Sequence, residues 1–342
     1  MEILLSSPLV YAVNSTSRYT GIEKLVSQYA IELSKRHEVS VIARTESEFP
    51  SNITHLRAKA TGDLYIDAEI HAYQTYQWMM RKFDVIHDFS HSHLASRHMP
   101  NLPSLNIFWH APSLAQYPKA PYNIIALSHW AAREFKRVYH QEARYQQSIV
   151  IDTDIYKPDS TPRTNRLFAL GVMTPEKGNL LTVQLCQQMG IELDLAGGRP
   201  VLGDAPLTEY EKTVRLFCDG EKLKFLGEIA DEEKMKLYHS CKAFIYMMPE
   251  GYEEVTSHKI QEALLCQTPV ICSNAGALPE IIEHGIDGYL CSTEKEFITA
   301  IKNVDKLNPL STLEKNKTKY SIENVCKEYE TLYGLVKGGL RW

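Results

Sequence analysis

Several features that mark other protein classes are missing from this sequence. No apolar run approaches the ~20 residues that a bilayer-spanning helix needs. Basic residues do not outnumber acidic ones, and the formal net charge of −5 provides no field that would attract nucleic acid. Neither half of the chain has a first strand followed by Gly-x-Gly-x-x-Gly, which argues against a nicotinamide-dependent oxidoreductase.

The cysteines and the N-terminal segment bear on where the protein works. Seven cysteines, an odd number with no two in Cys-x-x-Cys spacing, fit buried free thiols in a reducing cytosol better than a disulfide framework. The segment MEILLSSPLVYAV has no basic n-region and contains Glu2 and Pro8, so it is a poor signal peptide. These features predict a cytoplasmic protein.

The composition, 44% hydrophobic and 23% charged, is typical of a soluble globular protein, and 342 residues predict two domains. Short apolar runs alternate with segments of helical period, the pattern of parallel sheets with crossover helices. The predicted strands are EILLSSP, EVSVIAR, FDVIHDF, LNIFWH and NIIALSH in the first half, then RLFALGV, IELDLAGG, LKFLGE, KAFIYMM and TPVICS in the second. The predicted helices are GIEKLVSQYAIELSKR, IDAEIHAYQTYQWMMRK and WAAREFKRVYH, then NLLTVQLCQQMG, DEEKMKLYHSC and SHKIQEALLC.

Residues 152–166 lie between the two series. This polar segment contains two prolines, and we interpret it as the interdomain linker. The alternation of strands and helices in each half therefore predicts an open, doubly wound α/β unit. In such units ligands bind beyond the carboxyl ends of the strands.

The stretch 251–274 carries five ionisable groups between two apolar runs. Ser257 or Thr256 can cap a helix that runs to about Cys266, and its buried face would hold Ile260, Ala263 and Leu264. Because the helix starts just past the end of a strand, its free N–H groups and positive dipole end form an anion site suited to a phosphate.

Two glutamates in this stretch have two readings. Glu262 lies one residue before the buried face, so we expect it to have a hydrogen-bonded partner, for which a pair of sugar hydroxyls is one candidate. Glu254 lies in the loop before the helix. The alternative is that the loop is simply solvated and that Glu262 is a surface residue.

The segment GYEEVTSHKIQEALLCQTPVICSNAGALPEIIEHGIDGYL resembles the donor-site segment of retaining GT-B glycosyltransferases, the group that includes bacterial and archaeal mannosyl- and glucosyltransferases. Glu254 and Glu262 have the spacing of that family's two glutamates. GVMTPEKGN is similar to the family's Gly-Arg…Lys-Gly segment, with Lys177 in place and Val172 where the family has arginine. VIDTDIYKP and YSIENVCKEYETLYGLV resemble the motif that closes the first domain and the terminal helix.

The resemblance implies two Rossmann-like domains that face a deep cleft. Residues 1–157 would form the acceptor-side domain, completed by a returning helix at about 322–342, and residues 164–320 would bind the donor. The implied activity is retaining transfer of a hexose-type sugar from a nucleotide-diphosphate sugar to a hydroxyl, without metal or another cofactor. The acceptor would be a glycan, a lipid-linked molecule or a small molecule, and no nucleic acid is implied.

The resemblance also implies roles for individual residues. Lys177 would bind the diphosphate, Glu262 the ribose hydroxyls, and Glu254 would lie against the sugar near the reacting centre, with His110 contacting the sugar from the first domain. Further donor-binding residues would be Gly21, Thr256, Ser257, His258 and Lys259, the last four chiefly through backbone amides. Arg199 or Arg18 could substitute for the arginine that Val172 replaces. Each of these residues also has a plain structural reading.

Other functions remain open at the level of sequence. A catalytically weak sugar-nucleotide or glycan-binding protein is one, since Val172 removes an expected cation, and a GT-B sugar-nucleotide epimerase is another. His87, His91 and His93 could be read as a metal site, although the resemblance explains them as a strand end. The segment YQTYQWMMRKF could make a peripheral membrane contact, but a buried helix face is the favoured interpretation.

Overall fold

The protein is described by a computed structural model that covers residues 1–13, 21–59, 65–109, 121–198 and 207–342. The chain divides into two compact units. Unit 1 comprises residues 1–150 and 319–342, and unit 2 comprises residues 151–318. Each unit has its own parallel sheet and its own core.

Strands and helices alternate through most of the chain. The strands are β1 Glu2–Ser6, β2 Glu38–Arg44, β3 Ile53–Ala58, β4 Val85–Asp88, β5 Ser104–Phe108, β6 Ile124–Ala126, β7 Ala143–Tyr145, β8 Leu167–Leu170, β9 Leu193–Ala196, β10 Leu223–Gly227, β11 Ala243–Tyr246, β12 Val270–Ser273 and β13 Gly288–Cys291. The helices are α1 Gly21–Leu33, α2 Tyr65–Tyr76, α3 Leu94–His98, α4 His129–Tyr139, α5 Asn179–Met189, α6 Glu209–Phe217, α7 Asp231–Ser240, α8 His258–Leu265, α9 Glu294–Asn303, α10 Leu313–Tyr320 and α11 Ile322–Lys337.

The sheet of unit 1 has seven parallel strands in the order β3-β2-β1-β4-β5-β6-β7. Its final helix, α11, packs against α1 and against β4 and β5. Beneath α11 the Tyr333 hydroxyl lies 2.7 Å from Nδ1 of His87, and the rings of Tyr29, Phe89 and Tyr329 surround that histidine. Buried aromatic contacts therefore hold α11 against the rest of unit 1.

The sheet of unit 2 has six parallel strands in the order β10-β9-β8-β11-β12-β13. In both sheets the first strand is central and the next two strands extend the sheet to one edge. The chain then returns to the other side of the first strand, and the remaining strands extend the sheet to the opposite edge. Each sheet consequently has one switch point, between β1 and β4 in unit 1 and between β8 and β11 in unit 2, where loops leaving neighbouring strands diverge and open a crevice. The predicted α/β fold of two doubly wound sheets is confirmed.

The structure adds strands that the sequence pattern did not predict. They are β3 and β7 at the two edges of the unit 1 sheet and β13 at one edge of the unit 2 sheet. Edge strands have fewer buried positions, and the middle of β3 is exposed or half-buried, so its apolar pattern is interrupted. Helices α3, α6, α9 and α10 were likewise not predicted.

The segment YQTYQWMMRKF, for which a buried helix face or a membrane contact was considered, is partly buried and partly exposed. Helix α2 ends at Tyr76 and a short 3₁₀ turn follows at Met80–Lys82. Tyr73 and Met80 pack in the core of unit 1, as the buried interpretation requires. Trp78 does not, because 68% of it is exposed and the ammonium of Lys82 lies 4.9 Å from its ring centroid.

Candidate active site

The switch point of unit 2 is where the chain places Lys177. After β8 the chain forms a 3₁₀ turn, Pro175–Lys177, which ends at Gly178 with φ of 64°. A Cβ on Gly178 would lie 1.7 Å from the carbonyl oxygen of Met247, just beyond β11. Only glycine fits there, because the turn packs directly on the backbone that leaves β11. The close approach holds Lys177 at the crevice between the two strands.

Glu254 meets Lys177 at this point. The Nζ atom of Lys177 lies 2.5 Å from Oε1 of Glu254, and the hydroxyl of Tyr246, at the end of β11, donates to the same oxygen. Burial opposes ionisation of this carboxyl. The ammonium groups of Lys177 and Lys259 and the two hydrogen bonds outweigh it, so the pKa of Glu254 lies below its usual range. Glu254 is therefore a carboxylate at neutral pH.

A glycine turn positions the backbone of Glu254. Gly276 has φ of 57°, and a Cβ there would lie 2.4 Å from the carbonyl oxygen of Glu254. The same oxygen accepts a hydrogen bond from the backbone N–H of Ala277 at 2.8 Å. The Asn-Ala-Gly turn after β12 thus supports the loop that carries the glutamate.

Lys259 brings a second ammonium to the cluster from α8. Its Nζ atom lies 3.4 Å from the ring centroid of Tyr246, and the residue is half-buried. Burial and the neighbouring charge of Lys177 lower the pKa of Lys259 to about 7, against a smaller opposite effect of Glu254. Two lysines, a carboxylate and a tyrosine therefore share the switch point of unit 2.

Helix α8 has the predicted buried face, since Ile260, Ala263 and Leu264 are fully buried. The predicted N-cap position of Ser257 is confirmed, without a side-chain capping bond. Ser257 occupies the N-cap position, but its side chain forms no cap hydrogen bond, and its buried hydroxyl has no partner among the described residues. Its backbone (φ −149°, ψ 100°) is extended. Thr256 instead accepts a hydrogen bond from the side-chain amide of Gln261 at 3.2 Å.

Glu262 has hydrogen-bonded partners, and they come from α7. Lys234 Nζ lies 2.9 Å from one carboxylate oxygen, and the Tyr238 hydroxyl shares its proton between the other, at 3.2 Å, and the backbone carbonyl of Lys259, at 2.9 Å. Burial alone would lower the pKa of Lys234, but Glu262 and Asp231 together raise it above its usual value. The adjacent His258, at the start of α8, has its pKa lowered by burial.

Three of these residues were missed by sequence reasoning. Tyr246 was read only as part of a strand, although its place at the carboxyl end of β11 puts it opposite Lys177. Lys234 and Tyr238 are four residues apart and share one face of α7. That spacing was visible in the sequence, but nothing local indicated that the face is turned toward Glu262.

Of the remaining predicted site residues, Gly21 alone lies within the described part of the chain. His110 and Arg199 lie outside the described residues, as does Arg18. Gly21 is the first residue of α1 in unit 1, and a Cβ there would meet nothing within 4 Å among the described residues.

Three further features of the sequence concern a possible metal site, the cysteines and the lack of a membrane-spanning segment. The described residues contain no group of three histidine, cysteine or acidic side chains that could hold a metal ion, and His87 is buried against Tyr333. All seven cysteines are free, six of them buried. None of the helices in the described ranges combines the length and apolar character that crossing a bilayer requires.

The switch point of unit 1 has different chemistry. A small cleft, partly open to solvent, is lined there by Ser6, Glu69, Asp88, Ser90 and Ser92, among others. The Glu69 carboxylate accepts hydrogen bonds from the backbone N–H groups after β4, at 3.1 and 2.9 Å, and burial raises its pKa.

Glu23 lies near this cleft, on the first turn of α1. It accepts a hydrogen bond of 3.0 Å from the backbone N–H of Tyr11, and burial raises its pKa to about 7. The charge of Glu69 adds to that rise. Acidic side chains are therefore gathered at the crevice of unit 1.

Comparison with known proteins assigns the family. Residues 151–321 match the family model described as glycosyl transferases group 1, and this match covers half of the chain. The chain belongs to this family. The matched segment contains every residue of the Lys177, Glu254 and Glu262 clusters.

Individual relatives match over shorter stretches or at lower identity. A probable sucrose-phosphate synthase of Thermosipho melanesiensis is 34% identical over 130 residues, which are 36% of this chain and 30% of that protein. The matched stretch thus spans under a third of that relative's length.

Solved structures show the same fold over the whole chain. A sucrose-phosphate synthase of Thermosynechococcus elongatus aligns with a TM-score of 0.77 at 17% identity, covering 99% of this chain and 100% of that one. HepE of Anabaena, solved in complex with UDP-glucose, aligns with a TM-score of 0.73 at 16% identity, covering 98% and 100%. These similarities confirm the GT-B type of fold and, at such identities, nothing finer.

Proposed function

We propose that this member of the glycosyl transferases group 1 family moves a hexose-type sugar from a nucleotide-diphosphate sugar to a hydroxyl group, with retention of configuration and without metal. The observation that carries the proposal is the contact of Lys177 with Glu254 at the switch point of unit 2. The acceptor is a glycan, a lipid-linked molecule or a small molecule.

The cluster suits the leaving group of such a donor. A departing nucleoside diphosphate gains negative charge, and fixed cations in a partly dry site stabilise that charge without rearrangement. Lys177 is half-buried and is held by the turn that packs on Met247. HepE, which shares the fold, was solved with UDP-glucose, and this supports a nucleotide sugar as the donor.

Glu262 suits the ribose of the donor. Lys234 and Tyr238 fix the orientation of its carboxylate, and a carboxylate has more acceptor positions than these two bonds use. The remaining positions accept hydrogen bonds from the two ribose hydroxyls. Lys234 and Tyr238 then act as positioning residues for Glu262.

The reaction breaks the bond between the anomeric carbon and the phosphate oxygen and forms a bond from the same carbon to the acceptor oxygen on the same face. The acceptor's proton passes to an oxygen of the leaving phosphate, so atoms and charge balance. Positive charge develops on the sugar as the leaving group departs. The ionised Glu254 stabilises that charge electrostatically.

The test is a screen of UDP-, GDP- and ADP-sugars with simple glycoside acceptors, in excess EDTA, followed by the anomeric coupling constant of the product in NMR. Retained configuration in EDTA supports the proposal. Glu262→Gln should weaken nucleotide binding about tenfold, with Glu232→Gln, on the exposed part of α7, as the matched control.

Other outcomes would contradict the proposal in distinct ways. Inverted configuration or a strict metal requirement would overturn those parts of it. A donor that binds but is neither transferred nor hydrolysed would identify a binding protein. A donor converted to its epimer without acceptor would identify an epimerase.

A further inference from the structure

The resemblance found in the sequence implies two cations at the diphosphate site, one of them an arginine at the position where this chain has Val172. A site with a single cation would stabilise the leaving group less, because each charge-assisted contact contributes separately to the transition state. The residues around Val172 therefore bear on how a diphosphate would be held.

Lys259 reaches that position from another element. A Cβ placed on Gly171, the residue directly before Val172, would lie 3.5 Å from the Nζ atom of Lys259 and 3.4 Å from the Cβ of Lys177. The ammonium of Lys259 thus lies against the backbone at the end of β8, beside the lysine assigned to the diphosphate. It arrives from the first turn of α8, not from the loop after β8.

The surroundings of Lys259 leave its ammonium able to bind an anion. Lys177 is paired with Glu254 at 2.5 Å, whereas Lys259 forms no ion pair in the part of the chain that the structure describes. Its ammonium rests on the ring of Tyr246 at 3.4 Å, which holds the side chain toward the switch point. The other charged groups that face it are Lys177, which repels it, and Glu254, which attracts it.

We propose that Lys259 supplies the second cation for the donor's diphosphate and so replaces the arginine that this chain lacks at position 172. The proposal rests on the proposed function, because it assigns a residue to the same donor site. It differs from the sequence prediction, in which only the backbone amide of Lys259 faced the donor.

The proposal has a consequence that a purely structural lysine would not have. Burial beside Lys177 lowers the pKa of Lys259 to about 7 in the free protein. A bound diphosphate raises that pKa, because its negative charge stabilises the ammonium. At pH 8, where the nucleotide's phosphates are already ionised, binding is therefore accompanied by proton uptake.

The experiment is isothermal titration calorimetry with UDP, GDP and ADP at pH 8, each in Tris and in HEPES. The difference in observed enthalpy between the two buffers measures proton uptake on binding. Wild-type protein, Lys259→Met, Lys259→Met with Val172→Arg, and the control Lys236→Met are compared, with melting curves to establish folding. Lys236 is an exposed lysine on α7 outside the cluster.

We expect Lys259→Met to weaken binding of the preferred nucleotide about 10- to 100-fold and to abolish proton uptake, while Lys236→Met changes neither. Adding Val172→Arg should restore at least a tenfold part of the affinity without restoring proton uptake, because arginine stays protonated.

Binding within twofold of wild type in Lys259→Met would overturn the inference and leave the proposed function standing. Failure of Val172→Arg to restore any affinity to a folded Lys259→Met would also overturn it. If none of the three nucleotides binds wild-type protein at millimolar concentration, the proposed function itself fails, and the inference fails with it.

Discussion

The two units share a topology and differ in the charge at their switch points. In unit 2 the crevice between β8 and β11 holds the ammonium groups of Lys177 and Lys259 with one carboxylate between them. In unit 1 the crevice between β1 and β4 is lined by serines, two carboxyl groups and apolar side chains, and no lysine or arginine lines the described part of that cleft. Among the described residues, the crevice of unit 2 thus gathers ammonium groups and that of unit 1 carboxyl groups.

The difference shows what the fold decides and what it leaves to the loops. A doubly wound sheet places a crevice at the carboxyl ends of its strands, whatever the sequence. The residues that follow each strand then select the ligand. A cationic crevice attracts a diphosphate, whereas carboxylates and hydroxyls exchange hydrogen bonds with a polyhydroxyl group and repel an anion. We therefore expect the acceptor's hydroxyls at unit 1.

The largest effect should come from removing the cation that unit 2 holds most firmly. Lys177→Met should lower the transfer rate about 10²–10³-fold, since it removes a fixed positive charge from the leaving group. Steady-state kinetics with the preferred donor measures the loss, and Lys236→Met serves as the control. A loss below fivefold would mean that the cationic crevice is not where the leaving group binds.

Substitution of Glu254 should change the transfer rate and the nucleotide affinity in opposite directions. Glu254→Gln should slow transfer about 10- to 100-fold, because it removes the negative charge beside the reacting sugar. The same change should tighten nucleoside diphosphate binding about threefold, because Lys177 no longer shares its charge with Glu254 and the repulsion of the phosphates is gone. Kinetics and calorimetry measure the two effects.

The neighbouring Glu253→Gln is the matched control, since Glu253 is exposed on the same loop. Weaker nucleotide binding in Glu254→Gln, instead of tighter binding, would show that Glu254 acts mainly by holding Lys177 in place.

The smallest effect concerns the acidic crevice of unit 1. Burial raises the pKa of Glu23 to about 7 from its ordinary value of 4.5, so the folded state holds a proton that the unfolded state releases between these pH values. Because the unfolded state binds fewer protons in that window, stability falls as pH rises from about 4.5 to about 7.

Glu23→Gln should remove this contribution, raising the free energy of unfolding at pH 8 by ~1–3 kcal/mol and leaving it nearly unchanged at pH 4. Urea unfolding at both pH values measures the difference. Glu38→Gln, at an exposed position on β2, is the control. Equal stability changes at the two pH values would refute the assignment of a raised pKa.

The parts of the molecule that sequence could predict are those governed by local pattern. The strands that lead into Lys177 and Glu254 are continuous apolar runs, so both strands could be predicted from the sequence. The buried face of α8 followed from its helical period. The motif spacing pointed to Glu254 and Glu262 before any contact was known.

The parts that could not be predicted depend on pairs that are distant in sequence. Tyr246 and Lys177 meet because β8 and β11 are neighbours in the sheet, and Glu262 meets Lys234 because α7 packs beside α8. The position of Lys259 beside Gly171 likewise requires the crossing of two elements. Edge strands such as β3 were missed because their half-exposed residues blur the apolar pattern.

The path of the chain through the two units has a consequence for biosynthesis. Unit 2 is a continuous segment, residues 151–318, inserted between the two segments of unit 1. On the ribosome unit 2 can complete its core while unit 1 still lacks α11, whose Tyr329 and Tyr333 contact His87. The aromatic face beneath α11 thus stays uncovered until residues 319–342 emerge, so nascent unit 1 is the stage at which chaperone capture would matter most.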